Sequence, residues 1–231
     1  MKTNTRWLIL GLMFSSFALA QTYYPDKVGN EWFFLSTDGI EERVLRIEGT
    51  DEDQVRQLVD QTKEVNPPNE ETAYSRFVIR PEFDNVQILK AVFTFGLAGE
   101  IELPYDPPQV FLPIPIELGT RWTVKGEVTL PLLGEIMAEN TQEVVAVDKI
   151  SIPAGTFDNC LQVKQTNVLA SPVLRLERPG TMWLAPNLGP VKFVNSDDIV
   201  FELVRYNVSV DETAVSSKMK LATTWATIRN R

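Results

Sequence analysis

The chain contains no histidine and a single cysteine among its 231 residues. Both scarcities narrow what it can do. Without an imidazole, a Ser–His–Asp or Cys–His relay has nothing to carry the proton. Zinc and haem sites that depend on histidine fall for the same reason. One cysteine, Cys160, cannot close an internal disulfide. Free cysteine packs as a small apolar residue, so Cys160 is expected buried and inert. No Walker-type phosphate loop appears, and neither a metal nor a cofactor is expected. Basic residues are outnumbered, 22 against 31 acidic, for a net charge of −9. That balance excludes a nucleic-acid partner, which requires clustered Lys and Arg. It also argues against docking on anionic lipid heads. After residue 20, no apolar run is long enough to span a bilayer.

The first twenty residues are different. A basic head with Lys2 and Arg6 leads into an apolar stretch from Trp7 to Leu19, which ends Ala18-Leu19-Ala20. This is the pattern of a cleavable secretory signal, with cleavage after Ala20. The predicted location is therefore outside the cytoplasm, periplasmic or extracellular. Removing residues 1–20 takes away two basic residues and no acid, so the charge becomes −11.

Residues 21–210 read as one β-rich domain. At 44 % hydrophobic residues the chain can bury a core without covalent staples. Arg121–Leu130 alternates cleanly: Trp122, Val124, Gly126, Val128 and Leu130 share one face. Noisier alternation marks Glu42–Glu48, Ser75–Ile79, Gln87–Phe95, Gln142–Ile150, Leu161–Gln165, Thr181–Ala185, Val191–Val194 and Val200–Val210. Thr50–Asp53, followed by Val55, Leu58 and Val59, reads as a capped helix start or a strand. Residues 211–231 read as a frayed helix or a disordered tail.

Two segments share the pattern P-x-x-x-G-x-x-W: Pro25–Trp32 and Pro115–Trp122. In each, Gly permits a turn and Trp drops into the core. The expected architecture is all-β and mostly antiparallel, a curved sheet or incomplete barrel. It would be built from two related half-units, about 21–103 and 115–210. Between them lies a proline-rich connector, 104–119, too apolar for a free linker. It is expected to cover an open edge or the barrel mouth.

The second half carries Pro153-Ala154-Gly155-Thr156-Phe157, then Trp183-Leu184-Ala185-Pro186-Asn187-Leu188-Gly189-Pro190-Val191-Lys192. With Tyr23-Tyr24-Pro25 and Gly29-x-x-Trp32, these residues resemble an uncharacterised family of secreted bacterial β-proteins. Its signature runs P-A-G-T-F, then W-x-A-P-x-x-G-x-V-K. The resemblance implies a half-barrel similar to those of lipoprotein carrier and localisation proteins, where a curved sheet encloses an apolar hollow. It implies no catalytic residue. Read from the residues alone, both motifs are turns that deliver side chains to the core.

The functional expectation is a non-enzymatic exported domain that holds a lipid, another apolar molecule or a partner segment in a β concavity. Candidate ligand-binding residues are Phe34, Phe93, Phe95, Phe111, Trp122 and Trp183. A structural or interaction protein of the cell envelope, with an envelope protein as partner, is the first alternative. A hydrolase relying on carboxylates alone is the second, with Asp51–Asp53 and Asp197-Asp198 as its acidic clusters. Ser216-Ser217-Lys218 lacks a scaffold to position it.

Overall fold

The computed structural model describes residues 22–94, 99–130, 134–171 and 175–209. They form a single sheet of twelve antiparallel strands, with no helix among the described residues. Strands β1 (Glu31–Ser36), β2 (Glu41–Gly49), β3 (Arg56–Val65), β4 (Pro68–Pro81), β5 (Asn85–Thr94) and β6 (Glu100–Pro113) form one meander. Strands β7 (Arg121–Leu130), β8 (Gly134–Ile152), β9 (Gly155–Ala170), β10 (Arg175–Ala185), β11 (Gly189–Val194) and β12 (Val200–Asn207) form the second. β1 pairs with β12, which joins the meanders. The remaining ends, β6 and β7, lie side by side without a main-chain ladder. The result is a nearly closed barrel with one seam.

The two half-units predicted from the repeat are these two meanders. Their entry turns match bond for bond. Gly29 (φ 93°) and Gly119 (φ 86°) sit third in turns closed by Asn30 N–H to Lys27 O at 3.1 Å and Thr120 N–H to Glu117 O at 3.0 Å. A positive φ at that place favours Gly. Each Gly N–H then reaches the neighbouring strand, at Ile47 O in one half and Val144 O in the other, both at 2.9 Å. Three residues later comes the tryptophan. Trp32 Nε1 donates to Leu188 O at 2.7 Å, and Trp122 Nε1 donates to Phe111 O at 2.9 Å.

Two local expectations are revised. Asp51–Gln54 form turns rather than a helix start, and β3 begins at Arg56. Leu58 and Val59 are both buried there because each covers a different face of the sheet: Leu58 pairs with Ile47, and Val59 lies opposite Arg46 and Arg76. The proline segment enters the sheet as the edge strand β6, which leaves only 114–120 as connector. An edge is where proline is tolerated, since one side of the strand needs no donors. The predicted signal peptide, the tail from 211 and Phe95 lie outside the described residues.

The core fills the end of the barrel that carries the β2–β3, β4–β5, β6–β7, β8–β9 and β10–β11 connections. Trp32, Phe34, Ile47, Leu58, Ile79, Val144, Val163, Leu184, Leu203 and Phe201 are buried there. Residues 22–30 cross this end. Asn30 Nδ2 donates to Pro25 O and to Ser209 O, both at 3.1 Å. Ala154 N–H, from the β8–β9 turn, donates to Leu203 O at 3.0 Å. The chain thus plugs its own base.

Candidate functional site

Directly opposed residues on adjacent antiparallel strands share a face, so the register defines the rows of the inner wall. The lowest row is apolar. It reads Ile47, Leu58, Phe77, Ala91 and Leu103 in the first half, and Val144, Val163, Met182, Phe193 and Phe201 in the second; the β1–β12 junction staggers the two halves, setting Leu203 opposite Phe34 and Phe201 opposite Ser36. One row up, the chemistry changes. It reads Trp32, Leu45, Asp60, Ser75 and Phe93 in one half, and Trp122, Gln142, Gln165 and Gly180 in the other. The next row holds Phe34, Arg43, Thr62 and Ala73, and Val124, Asn140, Asn167 and Arg178.

The polar side chains are organised. Arg43 grips Asp60 through two bonds, Nε to Oδ1 at 2.9 Å and an outer guanidinium nitrogen to Oδ2 at 2.6 Å. This fork-to-carboxylate pairing is the strong geometry for such an ion pair. The Arg43 guanidinium also lies 4.2 Å from the centre of the Phe193 ring, which is edge-on to Phe34 at 5.0 Å. Asn140 Nδ2 donates to Asn167 Oδ1, while Asn140 Oδ1 is buried without a partner among the described residues. Tyr24 rises from the basal plug, and its hydroxyl is likewise buried and unpaired. Burial, reinforced by the charges of Asp26 and Asp60, holds that phenol well above its ordinary pKa. Glu41 is also raised, by burial first and then by Asp38, Glu64 and Asp197.

In the lowest row Ile47, Leu58, Ala91, Leu103, Val144, Val163, Phe193 and Phe201 are buried, while Phe77 and Met182 are half-buried. The Arg43 and Asp60 side chains keep 21 % and 20 % of their surface, although they point into the barrel.

The five described aromatic candidates separate in space. Phe93 and Phe111 come together around Phe77, with ring centres at 5.9 and 6.0 Å, and Tyr24 packs edge-on to Phe111 at 5.9 Å. Trp122 joins them through its bond to the Phe111 carbonyl. Phe34 is fully buried in the main core against Phe193. Trp183 falls on the other face of β10, opposite Gln162 and Lys192. Its indole donates to Asp148 Oδ2 at 3.2 Å, with the Lys192 ammonium 5.7 Å from its ring. The polar members of the inner rows, Arg43, Asp60, Asn140 and Asn167, were not among the candidates. Asp60 follows Val59 in a strand whose two faces are both buried, so alternation could not mark it as inward.

The other expected groups fall outside this interior. Asp51–Asp53, Asp197 and Asp198 are exposed on turns. No metal-holding cluster of His, Cys, Asp or Glu occurs among the described residues. Cys160 is buried and free, and burial pushes its thiol pKa to about 11. A groove of about 270 Å³ lies where β11 stops against β10. Gln165, Gly180, Thr181, Val194 and Asn195 line it, away from the aromatic group.

Both sequence motifs are explained by packing. Gly189, at φ 90°, leaves room for Pro25 and Trp32, whose atoms lie 3.2 and 3.3 Å from where a Cβ would sit. Leu188 receives the Trp32 indole. Phe157 of the P-A-G-T-F turn packs against the main core. The motif residues therefore build the base of the barrel.

No protein-family model matches the chain, and a comparison with curated proteins finds no match. The resemblance to the secreted β-protein family thus rests on the motifs alone. Among solved structures, the chain is similar to a Bacteroides fragilis protein inferred to be exported and described as having a YmcC-like fold. Identity is 14 %, with 81 % of this chain and 99 % of that one covered, at a TM-score of 0.42. It is also similar to a Parabacteroides distasonis protein inferred to be a lipoprotein, at 13 % identity, the same coverages and a TM-score of 0.43.

Proposed function

We propose that the protein is a non-catalytic exported domain that binds an amphiphile in the upper interior of its barrel. The carrying observation is the Arg43–Asp60 ion pair, partly accessible on inner positions directly above the buried Ile47–Leu58 pair. A guest with an apolar chain and an uncharged hydrogen-bonding head meets both surfaces. Its chain would lie against Phe93, Phe77 and Phe111. Its head would meet Arg43 and Asp60. Barrel size supports the reading: about eight strands make an interior that side chains fill, and larger barrels leave room. Export itself is read from the N-terminal signal pattern.

The test uses protein purified from an envelope extract without denaturation. Native mass spectrometry should show a retained small molecule. Titration of the stripped protein with the uncharged dye N-phenyl-1-naphthylamine should saturate. Phe93→Ala and Asp60→Asn should each weaken dye binding about five-fold or more, the order expected for losing one apolar contact or one buried polar partner. Trp183→Phe, on the outer face, should leave it unchanged. Absence of both a retained molecule and saturable dye binding would overturn the proposal.

A further inference from the structure

Every junction in the sheet but one is a main-chain ladder. The ladders range from three paired positions, between β11 and β12, to fourteen, between β8 and β9. Between β6 and β7 no main-chain pairing occurs among the described residues. Side chains bridge the gap instead. The Gln109 carboxamide lies against the main chain of Lys125. Lys125 N–H donates to Gln109 Oε1 at 2.8 Å, and Gln109 Nε2 donates back to Lys125 O. One carboxamide thus imitates a rung of a ladder. Beside it, Trp122 Nε1 donates to Phe111 O at 2.9 Å. Further along, Leu103 and Tyr105 press on Gly126, where an added Cβ would lie 2.9 Å from Tyr105 Cε1 and 3.0 Å from the Leu103 methyls.

A full ladder cannot replace this arrangement. Pro104, Pro107, Pro108 and Pro113 remove four donors from β6. Between Ile88 and Lys90, moreover, β6 departs from regular pairing. Behind the seam lies a separate apolar cluster of Ile88, Ala91 and Val124, packed with Phe77, Phe93, Tyr105 and Phe111. Its three buried residues lie outside the main core at the base, although Phe77 and Phe111 pack against both. Parting β6 from β7 breaks three hydrogen bonds, uncovers this cluster and leaves every ladder intact.

We propose that the β6–β7 seam is a lateral gate, latched by the Gln109 carboxamide and the Trp122 indole, through which the apolar chain of an amphiphile reaches the aromatic cluster. The guest rests on the binding reading above; the motion does not.

The experiment compares full-length wild type, Gln109→Ala and Gln109→Glu. The latch needs a group that accepts from Lys125 N–H and donates to Lys125 O. A protonated carboxyl does both, whereas a carboxylate only accepts. Hydrogen exchange read by mass spectrometry gives the motion. In Gln109→Ala, peptides spanning 100–113 and 121–130 should exchange at least three times faster than in wild type, with 31–36 and 200–207 unchanged. The rate of N-phenyl-1-naphthylamine uptake gives the route. It should rise at least three-fold for Gln109→Ala at both pH 7 and pH 4. For Gln109→Glu it should rise at pH 7 and return to the wild-type rate at pH 4. Exchange that is unchanged, or that rises equally in every peptide, overturns the gate. If exchange rises at the seam but no dye binds at equilibrium, the gate stands as a motion and the amphiphile reading falls.

Discussion

At the scale of single residues, the two entry turns make a matched experiment. Gly29 and Gly119 have no atom within 4 Å of a would-be Cβ, so replacing either by Ala tests backbone conformation alone. Each change should destabilise by about 1–2 kcal/mol, the cost of a left-handed residue with a side chain. The two losses in urea unfolding should agree within about 0.5 kcal/mol, because the turns are the same. Gly126→Ala differs, because its methyl collides with Tyr105 and Leu103. Overpacking there should cost about 1–3 kcal/mol. Cys160 gives a pH dependence. Its thiol ionises near 9.0 when unfolded and near 11 when folded. Between those values the unfolded chain holds fewer protons, so stability falls as pH rises from about 9 to 11. Cys160→Ala should flatten the unfolding free energy between about pH 9 and 10 and reduce its slope from 10 to 11, where Tyr105 still contributes. The loss attributable to Tyr105, whose burial pushes it to about 12, should persist above that window.

At the scale of elements, the two tryptophans do the same job at different junctions. Trp32 ties β1 to the β10–β11 turn, and Trp122 ties β7 across the seam to β6. Trp→Phe removes one indole donor and leaves a hole at each site. Trp32 is 1 % exposed and Trp122 8 %. The Trp32→Phe loss, about 2–4 kcal/mol, should exceed that of Trp122→Phe by roughly 1 kcal/mol in the same urea assay. What was legible in the chain follows the same physics. β7 was read to its end residues because one face is wet and the other dry, so alternation is clean. β3 was ambiguous because Leu58 and Val59 are both buried. β6 was hidden by its prolines, which were read as a connector covering an edge and instead form the edge strand itself. β8 and β9 run well beyond the predicted segments. Their upper inner positions are Asn140, Gln142, Gln165 and Asn167, which break the apolar period that marks a strand.

At the scale of the whole molecule, the repeat foretold two half-units, but their mode of closure could not be read. The inner aromatic group was partly foreseen, through Phe93, Phe111 and Trp122. Its polar tier was not, because Arg43 and Asp60 become inward-facing partners only when β2 and β3 pair in register. The sheet order places the sequence-distant strands β1 and β12 together, while the sequence-adjacent β6 and β7 are held by side chains alone. Covalent continuity and main-chain pairing are therefore out of step at just one place. A circular permutant brings them into step. It starts at Pro115, ends at Ile114, and joins Ser209 to Thr22 by about ten Gly and Ser residues, a reach of roughly 18 Å. Ser209 and the 22–30 segment already meet, through hydrogen bonds between Ser209 and Asn30. The permuted chain becomes one twelve-strand meander in which every ladder is local. Lower contact order speeds folding, so stopped-flow tryptophan fluorescence should show it refolding at least about three-fold faster than the native order. Its seam, now without a covalent tie, should be the first region to exchange its amides. A permutant that refolds more slowly, or that fails to fold, would mean that the 114–120 connector organises the barrel, and that β1 and β12 pair only after β6 and β7 have met.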